Sequence, residues 1–223
     1  VKELYRYCEI AREILVGEHA VGRVIARPFV GEYPFTRTAN RHDFSLEPQG
    51  QTMLDVLKEN GLATLSVGKI YDIFAGKSVS ELNRTTSNNH GMQITLDMQK
   101  RDFEGLCFVN LVDFDMKYGH RNDIVGYASA MTEFDGQLAE FMANMRDKDV
   151  LIITADHGCD PATPSTDHSR EYVPMLIYGK PIKAGVNLGT RDSFADISAT
   201  VLEYLGVDKQ NTAGNSFLKS VLK

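Results

Sequence analysis

Val150 to His168 reads VLIITADHGCDPATPSTDH, an apolar run that halts abruptly on a carboxylate and an imidazole. Val150, Leu151, Ile152 and Ile153 follow a charged segment, and a short β-branched run of this kind predicts a strand buried on both faces of a parallel sheet. Open α/β sheets bind ligands outside the carboxyl ends of their strands, so Asp156 and His157 are expected to point into the active-site crevice. His168 comes eleven residues after His157, beyond a loop that holds Pro161, Pro164, Ser165 and Thr166. If that loop folds its end back over the strand tip, Asp156, His157 and His168 share one small volume. Mixed carboxylate and imidazole donors suit zinc, manganese or iron better than calcium or magnesium. The plainer alternative is a turn-capping Asp156 and two ordinary surface histidines.

Working outward, the run from Leu106 to Val112 repeats the pattern, ending in Asp113-Phe114-Asp115-Met116-Lys117-Tyr118-Gly119-His120. Two neighbouring parallel strands would then deliver Asp115, His120, Asp156, His157 and His168 to one edge of the sheet. Two aspartates and three histidines make up most of a two-metal site, in which ions roughly 3.5–4 Å apart clamp the attacking and leaving oxygens of a phosphoryl displacement. Asp113 alternates with Asp115 along the strand and is expected to face elsewhere, into a hydrogen bond. Cys159 sits beside the cluster without a second cysteine nearby, and it is not assigned as a ligand.

The remaining pattern alternates strands with helices, which predicts a parallel sheet with crossovers. Residues 1–16 place Leu4, Tyr7, Cys8, Ala11, Ile14 and Leu15 on one helical face, and 22–29 read as a strand before a turn-rich loop. Around Pro48-Gln49-Gly50 the composition resets, so the boundary is set there, dividing the chain into 1–50 and 51–223. Thr52 is placed to cap a helix ending at Gly61. Strands follow at 62–67, with Lys69 in the turn after it, at 106–112, at 150–153 and at 173–178. Helices are expected over 94–103, along the Met131, Phe134, Leu138, Phe141, Met142 and Met145 stripe, and over 192–205, burying Phe194, Ile197, Val201 and Leu202. The expected class is α/β: a mostly parallel sheet flanked by helices, with part of a smaller α+β domain ahead of it.

With 223 residues and 43% hydrophobic composition, the chain is long enough for a real core. A net charge of −6 and a pI near 5.5 argue against nucleic acid as the main partner, which would need a basic face. Cys8, Cys107 and Cys159 are odd in number and widely spaced, which argues against a disulfide framework and for a reducing compartment. No apolar run approaches the roughly 18 residues of a membrane span, and no signal peptide opens the chain, so a cytoplasmic protein without a membrane partner is expected.

The TADHG of 154–158, the following His168 and NLVDFDMKYGHRND of 110–123 resemble the alkaline phosphatase superfamily and, within it, the phosphopentomutase family. ARPFVGEYPFTRTANRHDF and GKIYDIFAG extend the resemblance upstream, so that it covers essentially all of the chain. It implies a two-manganese enzyme that interconverts ribose 1-phosphate and ribose 5-phosphate, and the 2-deoxyribose pair, through a phosphothreonine and a sugar bisphosphate. A bisphosphate activator, glucose 1,6-bisphosphate or ribose 1,5-bisphosphate, is implied with it. Carried over by position, Asp115, His120 and His168 are the implied ligands of one ion, and Asp156 and His157 of the other. Arg27 and Arg41 match arginines of the family's cap domain, of which residues 1–50 would be the carboxyl-terminal part. Lys69 is a further candidate for phosphate, while His42 and Asp43 would brace Arg41.

The family's nucleophilic threonine has no match here, since Thr154 and Thr166 lie in other contexts. The resemblance therefore implies a missing amino-terminal segment and a chain inactive alone. Two rivals remain: a phosphatase or phosphodiesterase of the same superfamily, and a noncatalytic metal-binding fragment. Arginines able to hold the second end of a bisphosphate favour the mutase.

Overall fold

The computed structural model describes residues 1–223. Helix α1 (Lys2–Ile14) buries Cys8 against a ribbon in which β1 (Arg23–Ala26) pairs antiparallel with β4 (His42–Ser45). Tyr7 and Ile14, expected on the same inward face, are exposed. Between them β2 (Phe29–Val30) and β3 (Thr36–Arg37) form a second, shorter antiparallel ribbon.

Helix α2 (Met53–Glu59) starts at a capping box, in which Thr52 Oγ1 accepts from the Asp55 N–H and Asp55 Oδ2 accepts from the Thr52 N–H. Strand β5 (Ala63–Val67) is the centre of a three-stranded parallel sheet, with β6 (Glu81–Asn83) on one side and β7 (Gly105–Val109) on the other. The short helix α3 (Ile70–Ile73) follows β5 directly, and α4 (Asn88–Gln99) connects β6 to β7. The α4 helix begins six residues before the expected 94, because Ser87 caps it by accepting from the His90 N–H. The mixed α/β class with helices flanking a parallel sheet is the one expected.

After β7 the chain makes one π-helical turn (Phe114–Tyr118), one 3-10 turn (Gly119–Arg121) and the long helix α5 (Ile124–Ala143). The stripe on α5 is only half-buried and Met131 is exposed; Ala130 is the helix's one fully buried residue. Strand β8 (Leu151–Thr154) pairs antiparallel with β9 (Met175–Tyr178), in a ribbon of its own. This corrects the parallel, doubly buried reading of the 150–153 run. A parallel return needs a crossover, usually helical, and residues 155–174 hold no helix, so the chain comes straight back. One face of the ribbon, with Val150, Met175 and Ile177, packs on Ile182, Phe217 and Val221, while Leu176 and Tyr178 face outward.

Helix α6 (Ala195–Tyr204) buries Leu202 against Val56 and Leu57 of α2, and α7 (Leu218–Val221) closes the chain. Phe194, expected in that core, is exposed because it precedes the helix as its cap residue. No helix is long and apolar enough to cross a membrane.

Candidate metal centre and anion pocket

The turn after β7 and the loop after β8 meet. Asp115 Oδ1 lies 3.3 Å from His120 Nε2 and 3.2 Å from His168 Nε2, and the two Nε2 atoms are 3.2 Å apart. His157 joins from the loop just after β8, its ring stacked 3.6 Å from that of His168 at 16°, and the donor atoms of Asp115, His157 and His168 all lie within 4.8 Å of one another. Asp156 stands at the edge, with its side chain 72% exposed and Oδ1 3.7 Å from His157 Nε2. Four of the five expected ligands thus converge closely, and the fifth borders them.

Backbone pairing produces this convergence. Gly158 and Ser169 exchange two hydrogen bonds, 3.2 and 2.9 Å, which folds the end of the loop back beside its start and carries His168 with it. A Cβ on Gly158 would stand 2.3 Å from Glu171 Oε2 and 3.0 Å from Ser169 Oγ, so the close pairing favours glycine there. On the other side, Asp113 is occupied as expected. Its Oδ2 accepts from the Asn88 N–H and from Lys117, while its own N–H donates to Asn88 Oδ1, so it ties the strand end to α4. Asp115, two residues later, is left facing the histidines.

Three features of this cluster fit a divalent cation. First, Asp115 Oδ1 is buried and has no hydrogen-bond partner, an arrangement that costs free energy unless a cation or donor meets it. Second, donors 3.2–3.3 Å apart leave a position about 2 Å from all three, the ordinary length of metal bonds to histidine nitrogen and carboxylate oxygen. Third, His120 Nδ1 donates to the Thr166 carbonyl and His157 Nδ1 donates to the Gly158 carbonyl at 3.1 Å. A carbonyl can only accept, so each Nδ1 holds a hydrogen, and in the neutral ring Nε2 then keeps its lone pair for a ligand. His120 Nε2 and Asp115 Oδ1 then face each other as two acceptors 3.3 Å apart, which a cation, or a hydrogen on His168 Nε2, would reconcile. Cys159 lies against Asp115, and burial first, with the Asp115 charge second, pushes its thiol above the ordinary range.

Gly119 has an ordinary helical backbone and is glycine for space: a Cβ would fall 2.4 Å from Cys159 Sγ and 3.2 Å from the Phe114 carbonyl oxygen. Gly119→Ala is expected to cost about 1–3 kcal/mol of stability, the usual range for overpacking, and to displace Cys159. A thermal midpoint equal to wild type would show that the turn absorbs the methyl group.

On the same rim a cavity of about 160 Å³ is lined by Arg23, Arg41, His42, Asp43, Lys69, Asp72, Ile73 and Arg84. Asp43 Oδ2 accepts from Arg41 at 3.0 Å and from Arg23 at 3.3 Å, and Asp72 takes Arg84 in a two-pronged pair at 3.0 Å. Four cationic side chains against two carboxylates leave the pocket positive in an acidic protein. Lys69 is placed here by Gly68, which has a φ of +83° and whose Cβ, if it had one, would fall 2.3 Å from the Asn110 carbonyl oxygen, so no other residue fits. The Lys69 ammonium also reaches Met116 Sδ at 2.8 Å, next to Asp115. Burial first, and then the Arg41 charge, hold its pKa below the usual lysine range, with Asp115 and Asp43 opposing.

Of the three basic residues expected to bind phosphate, Arg41 and Lys69 line this cavity, whereas Arg27 is exposed outside it. Arg23, Asp72 and Arg84 escaped the sequence reading. Arg84 had one available signal, its place just past the carboxyl end of β6.

A metalloenzyme superfamily profile matches residues 37–209, most of the chain and all five candidate ligands. The chain belongs to the metalloenzyme superfamily. It is 60% identical over 224 residues to a phosphopentomutase of Lachnoclostridium phytofermentans, 58% over 223 to one of Acetivibrio thermocellus, and 57% over 224 to one of Carboxydothermus hydrogenoformans. Each alignment takes in 100% of this chain and 57% of the relative, so the chain spans little more than half the length of the phosphopentomutases it matches. The solved structure of the PH0037 protein from Pyrococcus horikoshii superposes with a TM-score of 0.54 at 15% identity, covering 95% of this chain and 65% of that one, a likeness of fold.

Proposed function

We propose that this chain forms the metal-binding and anion-binding part of a phosphopentomutase, which interconverts ribose 1-phosphate and ribose 5-phosphate, and the 2-deoxyribose pair. The observation that carries the reading is the abutment of two sites: Lys69 lines the cationic cavity and also touches Met116, the neighbour of the candidate ligand Asp115. A sugar phosphate has two ends, and adjacent anion and metal sites can hold both. High identity to phosphopentomutases favours this reading over a hydrolase.

Asp115, His120 and His168 would hold one manganese ion, and Asp156 with His157 the second; the ions would supply positive charge against the phosphoryl oxygens. The protein's own part is orientation. Guanidinium forks at Arg23, Arg41 and Arg84 are suited to bidentate phosphate contacts, in exchange for their present partners Asp43 and Asp72. Lys69 adds a point charge between the two sites. Arg27 is assigned to the distal phosphate on the resemblance alone. Residues 1–50 are read as part of a cap over a core at 51–223. The phosphothreonine, the bisphosphate intermediate and its glucose or ribose bisphosphate activator belong to the full-length enzyme, which is placed in the cytoplasm with a small sugar phosphate as its partner.

Manganese titration of the full-length enzyme in a ribose 1-phosphate isomerisation assay tests the reading. Manganese-dependent formation of ribose 5-phosphate is expected. Release of inorganic phosphate would instead select a hydrolase, and manganese binding without turnover a scaffold. Arg41→Ala and Arg84→Ala should each raise KM for the sugar phosphate about 10- to 100-fold, as expected for losing a hydrogen bond to a charged group. Unchanged KM in both would remove the cavity from the substrate's path.

A further inference from the structure

We infer that Asn122 is a positioning residue for the metal centre: its carboxamide gathers the loop of residues 161–165 and thereby sets which nitrogen His120 presents. The inference rests on the metal reading of the cluster, but it concerns a side chain that contacts neither a candidate ligand's donor atom nor the cavity.

Asn122 follows the 3-10 turn that contains His120 and takes a left-handed conformation, φ 51° and ψ 33°, with its N–H donating to the Gly119 carbonyl at 3.1 Å. Asparagine is among the few residues that tolerate this region. Its Nδ2 faces three carbonyl oxygens of the facing loop: Thr163 at 2.6 Å, Ser165 at 3.1 Å and Pro161 at 3.3 Å. An amide nitrogen has two hydrogens, so the two shortest contacts take them and the third is held by the remaining dipole. Alternate carbonyls of one irregular segment are thus turned toward a single side chain.

The next carbonyl along, that of Thr166, accepts from His120 Nδ1. Because a carbonyl cannot donate, this bond keeps a hydrogen on Nδ1, so that the neutral ring presents Nε2 as the lone-pair nitrogen, 3.3 Å from Asp115 Oδ1 and 3.2 Å from His168 Nε2. Residues 164–168 are exposed, and within the loop only short local turns support the backbone, such as Asp160 Oδ1 accepting from the Ala162 N–H and Ser165 Oγ from the Asp167 N–H. The Gly158–Ser169 pairing secures the base of the loop, whereas Asn122 secures its crown. Remove the amide and the base still closes, but nothing aims the Thr166 carbonyl at His120.

Two variants separate this role from a merely structural one. Asn122→Gly keeps the left-handed backbone and deletes the amide; Asn122→Asp keeps the shape and replaces the donor by an acceptor facing three carbonyls. In calorimetric titration with manganese(II), both should bind about 10- to 100-fold more weakly than wild type, the usual effect of losing a group that orients a ligand. Ring-nitrogen NMR spectra of the cation-free protein should show His120 as the Nδ1–H tautomer in wild type and as a mixture in Asn122→Gly, with circular dichroism unchanged. Wild-type affinity together with an unmixed Nδ1–H tautomer in Asn122→Gly would overturn the inference. If the wild type itself takes up no manganese, the metal reading fails, and the tautomer comparison still decides the role of Asn122. Should Asn122→Gly not fold, Asn122→Asp carries the same two measurements.

Discussion

Asp115→Asn is expected to weaken divalent-cation binding by more than about 100-fold, beyond the usual loss for an outer-shell partner, while leaving the cation-free protein as stable as wild type or more so. The two effects have opposite sign for one physical reason. Oδ1 of Asp115 is buried without a hydrogen-bond partner, and two imidazole nitrogens face it at 3.2 and 3.3 Å. Without a cation, a carboxylate there is an under-compensated charge, and a neutral amide of the same shape relieves it while gaining a hydrogen to offer Nε2. The relief should be on the order of 1 kcal/mol. Calorimetric titration and thermal unfolding with and without manganese measure both quantities. A cation-free midpoint that drops sharply would make Asp115 a structural residue, and undiminished cation binding would place the ion elsewhere.

His168→Ala should lower turnover of the full-length enzyme by on the order of 1,000-fold, the scale of losing one preorganised electrostatic group, yet barely change stability. His168 sits at the centre of the cluster, in reach of Asp115 and His120 through Nε2 and stacked on His157. It is also exposed and lies at the end of an irregular loop, so truncating it removes little packing, and exposed substitutions usually stay within about 0.5 kcal/mol. Native circular dichroism with lost turnover is the expected pair of results. A variant that turns over normally would leave His157, Asp115 and His120 as an arrangement without the proposed use.

How far the site could be read in advance differs residue by residue. Asp115, His120, His157 and His168 were legible because each comes after an apolar run, and the strands of α/β proteins expose the residues just past their carboxyl ends. Asp113 and Asp115 do part as expected, one into hydrogen bonds and the other toward the cluster, but a π-helical turn separates them rather than alternation along a strand, since β7 ends at Val109. The direction of β8 was not legible: Leu-Ile-Ile-Thr is equally apolar in either pairing, and only the helix-free return through 155–174 makes it antiparallel. Met131 and Phe194 failed as core residues because helical periodicity names a face without naming what covers it. The cavity residues Arg23, Asp72 and Arg84 lie far apart along the chain and meet only when β1 and β4 pack beside α3, as in the Ser45 hydroxyl donating to the Asp72 carbonyl at 2.9 Å.

The order of residues alone determined which donors exist, two carboxylates and three imidazoles at two strand ends, and that an α/β scaffold would present them. Tertiary structure alone decided how they face: which histidine nitrogen keeps its hydrogen, which carboxylate oxygen is stranded, and which arginines share a cavity with Lys69. Those choices depend on backbone carbonyls and cationic groups brought from distant segments, and a local pattern of side chains carries no record of what will be packed against it.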